Sequence, residues 1–89
     1  MKFYDFSHCD FDDDLIGKDD FVGVLEMKGS TLRILVGNRV DKRVVFLIPQ
    51  GKVVTIEGYT DKEVRHIIDV MEDVREELID GIKAAERRR

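Results

Sequence analysis

The longest regular pattern in this chain is an amphipathic repeat that extends from Thr60 to Glu86. Its apolar residues recur at intervals of three and four positions, which is the spacing of one buried face of an α-helix. Thr60 and Glu63 form a capping-box pattern at its start, where each side chain can bond the backbone N–H of the other residue. Because no proline interrupts the repeat, it predicts one long C-terminal helix. The apolar face consists of Val64, Ile67, Ile68, Met71, Val74, Leu78, Ile79 and Ile82.

Short runs of alternating apolar and polar residues precede the helix, and turn-forming residues separate them. These runs predict β-strands over 21–28, 31–36, 43–48 and 53–58, and a shorter aromatic run predicts a first strand within 2–8. Connections of two to six residues between the last four strands favour antiparallel neighbours. On the last three strands, alternation predicts which side chains point inward. They are Leu32, Ile34, Val36, Val44, Phe46, Ile48, Val54 and Ile56.

The helix and the strands together predict an α+β fold. An amphipathic helix needs an apolar surface to cover, and the inward faces of the strands supply one. We therefore expect a mainly antiparallel β-meander of four to five strands, with the long C-terminal helix packed on one face. The chain has 89 residues and neither an internal repeat nor a linker, so residues 1–89 are expected to form a single domain.

The charged residues are mainly acidic. Nineteen Asp and Glu residues against fifteen Lys and Arg residues give a formal net charge of −4. Because the sequence contains no concentrated basic face, binding to nucleic acid is not expected. Asp69, Asp73, Glu76 and Asp80 form one stripe of like charge on the exposed side of the predicted helix. This acidic stripe is either a solvated face or a contact surface for a basic partner.

No segment of the sequence is a candidate for membrane insertion or export. The longest unbroken apolar run, residues 44–49, is far too short to cross a bilayer. Asp5 lies where a signal peptide would need an apolar stretch. The single cysteine excludes an intrachain disulfide. These features predict a cytoplasmic protein, and a composition rich in charged residues but poor in Asn and Gln is typical of a thermophile.

The most specific chemical feature is an acidic segment over residues 10–20. Its first five residues read Asp-Phe-Asp-Asp-Asp, which places carboxylates at alternate positions of a short loop. Calcium binds six to eight oxygens at about 2.3–2.6 Å, and carboxylates in this arrangement can share one cation. The match to an EF-hand loop is incomplete, because Leu15 and Phe21 stand where glycine and glutamate are required. The candidate calcium ligands are Asp10, Asp12, Asp13, Asp14, Asp19 and Asp20.

The same acidic segment has a purely structural interpretation. Aspartate is favoured as an N-cap and in the first turn of a helix, where it complements the helix dipole. Asp10 could therefore cap a short helix over 12–16 that ends at Gly17. In that case the chain is a protein-interaction or homodimerisation module without a metal. Its contact surfaces would be the open faces and edges of the sheet or the acidic stripe of the helix.

The histidines and the cysteine are poorly placed for catalysis or for zinc. His8, Cys9 and the distant His66 are fewer than the four ligands of a structural zinc site. Adjacent side chains on a strand point to opposite faces, so His8 cannot serve Cys9 as a base. The sequence also contains no glycine-rich phosphate loop. We therefore expect no enzymatic activity, and we expect Cys9 to be a small buried residue.

In its size, its acidity and the order of its parts, the chain resembles an uncharacterised family of small calcium-binding proteins from methanogenic archaea. The resemblance rests on the cluster of Asp10, Asp12, Asp13 and Asp14 ahead of a β-rich body and a C-terminal helix. It implies a compact α+β fold, calcium bound by those four residues and no enzymatic activity. Binding of a divalent cation is therefore the leading functional expectation, and self-association or another protein contact is the alternative.

Overall fold

Five strands and two helices make up the part of the chain that the computed structural model describes, residues 3–7, 9, 11, 13, 15–16, 20–38 and 40–88. In chain order they are β1 (Tyr4–Asp5), β2 (Phe21–Lys28), β3 (Thr31–Gly37), β4 (Arg43–Ile48), β5 (Lys52–Glu57), α1 (Asp61–Asp73) and α2 (Arg75–Arg87). The strands form one sheet in the order β1-β2-β3-β4-β5, and every neighbouring pair is antiparallel. The predicted α+β class and the antiparallel meander are confirmed.

The prediction of one long C-terminal helix is wrong, because α1 and α2 are separate helices of 13 residues each. Val74 lies between them with φ −104° and ψ 12°, outside the helical range. A continuous helix over 61–87 would be about 40 Å long at a rise of about 1.5 Å per residue. The longest extent of the fold is 37 Å. The break at Val74 therefore separates two shorter helices, and Leu78, Ile79 and Ile82 of α2 still reach the core.

The predicted capping box at the start of α1 is confirmed. The backbone N–H of Glu63 donates to Thr60 Oγ1 at 3.1 Å, and the Thr60 N–H donates to Glu63 Oε1 at 2.9 Å. Two N–H groups at the helix start are thereby satisfied. The bond from the Thr60 backbone also lowers the pKa of the Glu63 carboxyl. The capping box therefore determines where α1 begins relative to the end of β5.

Both helices pack against one face of the sheet and enclose an apolar cluster. Phe46, Ile67 and Met71 are fully buried in this cluster. The helix α1 lies over β4, one strand in from the edge of the sheet, so β5 is left at the margin of the core. The buried residues are Val22, Val24, Leu32, Ile34, Val36, Val44, Phe46, Ile48, Tyr59, Val64, Ile67, Ile68, Met71, Leu78, Ile79 and Ile82.

A β-bulge between β4 and β5 changes which residues of β5 face the helices. Val44 pairs with Ile56 and Phe46 pairs with Val53, so Val54 is the additional residue of the bulge. Because Val44 and Phe46 are buried under the helices, their partners on β5 lie on the same face of the sheet. The prediction that Val54 points inward is therefore wrong, because the extra residue reverses the alternation along the strand.

The N-terminal segment covers the edge of the sheet opposite β5. The ring of Phe3 lies against Gly23 on β2, where an added Cβ would collide with it. Phe6 approaches Gly81 on α2 in a similar way, since a Cβ there would lie 2.9 Å from Phe6 Cε1. β1 is thus held by its pairing with β2 and by these two close contacts, whereas β5 forms the other edge of the sheet.

Candidate functional site

The structure describes two of the six acidic residues predicted to bind a cation. Asp13 and Asp20 lie within the described residues. The other four predicted ligands lie outside the described residues: Asp10, Asp12, Asp14 and Asp19. The short helix predicted over 12–16 also falls partly outside them, and Leu15 and Ile16 form a turn and a bend. Cation binding by the whole segment therefore stays a prediction.

Asp13 connects the acidic segment to α1. Its Oδ1 accepts the backbone N–H of Leu15 at 2.9 Å, which closes a local turn. Its Oδ2 lies 2.6 Å from Nε2 of His66 on α1, so an ionised Asp13 accepts the imidazole N–H. The Asp13 side chain is 12% exposed and the His66 side chain is 53% exposed. Because both of its oxygens have protein partners, Asp13 acts first as a link between the segment and the helix.

The surroundings of Asp13 hold its carboxyl in the charged form. Burial by itself would raise the pKa of Asp13, but the N–H of Leu15, followed by the bond and charge of His66, brings it below the ordinary value of 3.8. The contact with His66 is an ion pair only while the imidazole is protonated. Ionised Asp13 therefore stabilises the fold above its ordinary pKa, and that contribution is lost as the pH falls through the lower folded value.

Within the described ranges, no group of three or more His, Cys, Asp or Glu residues is arranged to hold a metal ion. His66 is bonded to Asp13, and His8 lies outside the described residues. The prediction that Cys9 is buried is wrong, because it is exposed with a free thiol. Its N–H donates to the carbonyl of Phe6 at 3.0 Å, which closes a turn.

Tyr59 places a buried hydroxyl between the end of β5 and the start of α1. The residue is 8% exposed, and its Oη has no hydrogen-bond partner among the described residues. Burial, followed by the negative charges of Asp20, Glu63 and Asp41, raises the pKa of Tyr59 to about 12. The Lys42 ammonium lies 5.4 Å from the centre of the ring, within the range of a cation–π contact. The phenol is therefore held neutral, which suits a structural role better than a nucleophilic one.

The exposed apolar residues of the described chain concentrate on β5. Val53, Val54 and Ile56 are 40%, 49% and 39% exposed. Val53 and Ile56 lie on the helix side of the strand, where they line a groove of about 640 Å³ together with Val64 and Ile68 of α1. We call these five residues the β5–α1 surface. It joins the edge of the sheet to the flank of the first helix.

The α1 side of this groove is charged. Asp61, Asp69 and Glu72 border it together with Arg65, and all four are exposed. An apolar centre with a polar rim is the usual composition of a protein–protein contact site. Small-molecule sites, in contrast, enclose most of their ligand. The groove runs beside an exposed strand, so it suits a protein segment better than a small molecule.

β5 is an edge strand, which within the described part of the chain pairs only with β4. Edge strands of monomeric proteins are usually short, charged or covered, because their unpaired N–H and C=O groups can pair with another strand. β5 has six residues, and the four central ones carry no charge. The opposite edge strand, β1, has two residues. β5 is therefore the edge that can accept a further strand.

The sequence alone predicted this strand but not its exposure. Alternation assigned Val54 to the core, whereas the bulge exposes it and turns Val53 towards the groove. One signal was present, because β5 is the last strand of a meander and sequential strands are usually neighbours, which leaves the last one at an edge. The exposure of Ile56 had no sequence signal, since it depends on α1 lying over β4.

The fold and this surface define a small α+β protein with a helical layer on one face of its sheet and one apolar open edge. Comparison with protein-family models, with curated proteins and with solved structures finds no match to the chain. The resemblance to a calcium-binding family therefore remains a prediction. Among the described residues, no helix is long and apolar enough to span a membrane.

Proposed function

We propose that this chain is a non-enzymatic, cytoplasmic protein that associates with a second copy of itself through the β5–α1 surface. The edge strand β5 is the observation that carries this proposal, because three of its six residues are apolar and 39–49% exposed. An edge of this kind promotes aggregation in a monomer and contributes binding energy in a dimer. The exposed thiol of Cys9 suits a reducing compartment such as the cytoplasm.

The charges around the surface favour a second copy over other partners. Lys52 and Arg65 are basic, whereas Glu57 closes the other end of the strand and further acids border the groove. A uniformly basic or uniformly acidic partner would therefore meet repulsion on part of the surface. A second copy presents the same mixture, and a two-fold rotation can bring unlike charges together.

Replacing Val53 by lysine should weaken self-association about tenfold or more, because a charged side chain would enter the centre of an apolar contact. Val40→Lys is the matched control, since Val40 is 89% exposed and lies outside the β5–α1 surface. Sedimentation velocity over a range of protein concentrations measures the Kd of the wild type and of each variant. Far-UV circular dichroism checks that both variants keep the wild-type fold.

Two results would contradict this proposal. The first is a wild-type chain that stays monomeric at millimolar concentration. The second is an association that Val53→Lys and Val40→Lys weaken to the same extent, since the contact surface would then lie outside β5.

Calcium binding by the acidic segment is a second and separate proposal. It is supported by the alternate spacing of Asp10, Asp12 and Asp14 in the sequence. It is also supported by the bond between Asp13 and His66, which holds the middle of the segment against α1. A segment attached in this way pays less conformational entropy when it closes around a cation.

Calcium added to metal-stripped protein should shift the amide resonances of Phe11 and Leu15 saturably, at concentrations well below those at which magnesium acts. Asp12→Asn combined with Asp14→Asn should abolish these shifts without unfolding the protein. The acidic stripe on the helices, which includes Asp69, is the internal control. Unsaturated shifts that are as large at the stripe as in the segment would indicate a counterion atmosphere and contradict the calcium proposal.

A further inference from the structure

The residues of β5 have a nearly symmetrical order. Lys52 and Glu57, of opposite charge, stand at its two ends, and the apolar Val53 and Ile56 stand next to them. Pairing with β4 places the two charged residues on the face of the sheet away from the helices. It places the two apolar residues on the helix face. Each half of the strand therefore carries a charge on one face and an apolar side chain on the other.

The bulge makes possible a register of β5 with a copy of itself that a regular strand could not adopt. Strands related by a two-fold axis run antiparallel. If residue i of one copy lies opposite residue j of the other copy, then residue j of the first copy also lies opposite residue i of the second. Residues directly opposite each other must point to the same face. In a regular strand Val53 and Ile56, three positions apart, would point to opposite faces and could not pair. The extra residue Val54 brings both to the helix face, so their pairing becomes geometrically possible.

We propose, on the basis of the self-association proposed above, that β5 pairs with β5 of the second copy so that Val53 lies opposite the partner's Ile56. The same register sets Lys52 opposite the partner's Glu57 at both ends of the contact. Each charged pair and each apolar pair then joins residues on one face of the sheet. The two five-stranded sheets become one continuous sheet of ten strands.

Glu57 has the bonding capacity that this register requires. Its Oε1 accepts from Nη2 of Arg43 at 2.9 Å within the same chain. An ionised carboxylate can accept several hydrogen bonds, so Oε2 can accept from the ammonium of the partner's Lys52. Arg43 and Glu57 have side chains that are 55% and 58% exposed. The ion pair therefore lies at the rim of the contact, where it selects the register and weakens as salt is added.

The helices leave room for the second copy. α1 packs over β4, one strand away from the edge. Neighbouring strands are about 4.8 Å apart, so the α1 axes of the two copies would lie about 14 Å from each other. Packed helices approach to about 8–10 Å, so these helices would not collide. The space between them is the two grooves joined, with Val53 and Ile56 of both copies along its floor.

The same pairing ends the assembly at a dimer. A two-fold contact uses the β5 edge of both copies and leaves a β1 strand at each end of the ten-stranded sheet. β1 has two residues, too few to guide the pairing of another strand. The product is therefore a closed dimer rather than a fibre.

Disulfide trapping tests the register directly. Val53→Cys and Ile56→Cys are made in separate chains that both carry Cys9→Ser, and the two variants are mixed and oxidised. The mixed disulfide dimer should form, because Cα atoms of opposite residues lie about 4.5–5.5 Å apart, within disulfide range. Each variant alone should form about tenfold less disulfide dimer, since its two thiols are offset along the strands. Val40→Cys measures how much disulfide dimer forms by random collision, because Val40 is 89% exposed in the wild type.

Charge exchange tests the ion pairs independently. In the dimer of Lys52→Glu, two acidic side chains face each other at both ends of the contact, and in the dimer of Glu57→Lys two basic ones do. Each substitution alone should therefore raise the Kd about tenfold or more. An equimolar mixture should recover wild-type association, because unlike charges then face each other at both ends. Loss of the bond to Arg43 cannot explain this pattern, since Glu57→Lys lacks that bond in the mixture as well.

The outcomes separate this inference from the proposed function. The mixed disulfide together with recovery in the charge mixture supports the register. If Val53→Lys weakens association but either test fails, the register is overturned and the proposed function stands. A wild-type chain that stays monomeric overturns both.

Discussion

Replacing Gly58 by alanine is expected to lower the free energy of unfolding by about 3–4 kcal/mol. Gly58 has φ +78°, a conformation in which an L side chain costs about 1–2 kcal/mol. The added Cβ would also collide with the carbonyl oxygen of Asp41 and lie 2.9 Å from Cγ of Lys42. Because the collision with Asp41 involves the backbone, rotation of a side chain cannot relieve it. The substitution would therefore separate the backbone at Asp41 from the end of β5.

Gly51→Ala is the matched control for this prediction. Gly51 also has a positive φ, +70°, but nothing lies within 4 Å of an added Cβ. Its replacement should lower the free energy of unfolding by only about 1–2 kcal/mol, which is the cost of the left-handed conformation for an L residue. Urea denaturation followed by circular dichroism measures both variants. Equal losses in the two variants would show that the backbone at Asp41 does not approach Gly58 closely.

Raising the pH from neutrality to the folded pKa of Tyr59 is expected to lower the free energy of unfolding by about 2–3 kcal/mol through Tyr59 alone. Burial, together with the charges of Asp20, Glu63 and Asp41, raises the pKa of Tyr59 from 10.0 to about 12 in the folded chain. Folding therefore favours the neutral phenol. That contribution is fully present below the unfolded pKa and is lost as the pH rises through the folded pKa.

Tyr59→Phe should remove this alkaline loss without lowering stability at neutral pH, because Oη has no hydrogen-bond partner among the described residues. Tyr4→Phe is the control, since the Tyr4 hydroxyl donates to Glu86 Oε1 at 2.7 Å. It should cost up to about 1 kcal/mol near neutrality and leave the alkaline loss in place. Urea denaturation over a series of pH values measures all three proteins. An alkaline loss that persists in Tyr59→Phe would assign it to other groups.

Both predictions concern the junction between β5 and α1, on which the proposed interface depends. β5 ends at Glu57, Gly58 turns the chain, Tyr59 enters the core and Thr60 caps the helix. The groove lies beside this junction, between β5 and α1, because α1 packs over β4 rather than over the edge strand.

Local sequence patterns account for several elements of this protein. The strands Phe21–Lys28 and Arg43–Ile48 have the bounds that alternation predicted. The capping box of Thr60 and Glu63 begins the first helix as its spacing indicated. Alternation and capping depend on residues two to four positions apart, so a short stretch of sequence contains the information that they need.

The tertiary structure alone decided how these elements meet. The helical repeat continues through Val74 in the sequence, but the helix breaks there, and the longest extent of the fold, 37 Å, is shorter than one continuous helix over 61–87 would be. Alternation could not place Val53, because the bulge that turns it towards the groove arises from the fit of β5 to β4. Helix ends and bulges of this kind respond to packing against distant parts of the chain, and packing overrides local preference.

Of the two candidate sites, one is visible in the sequence and the other emerges only from the fold. The acidic segment is visible in the sequence, and calcium binding there remains a prediction. The partner that links it to α1 is not visible, because Asp13 and His66 are 53 residues apart. The apolar edge at β5 also emerged only from the fold, since its exposure depends on which strand α1 covers. Contacts between residues distant in sequence depend on the packing of the whole sheet and both helices, which no local pattern of residues specifies.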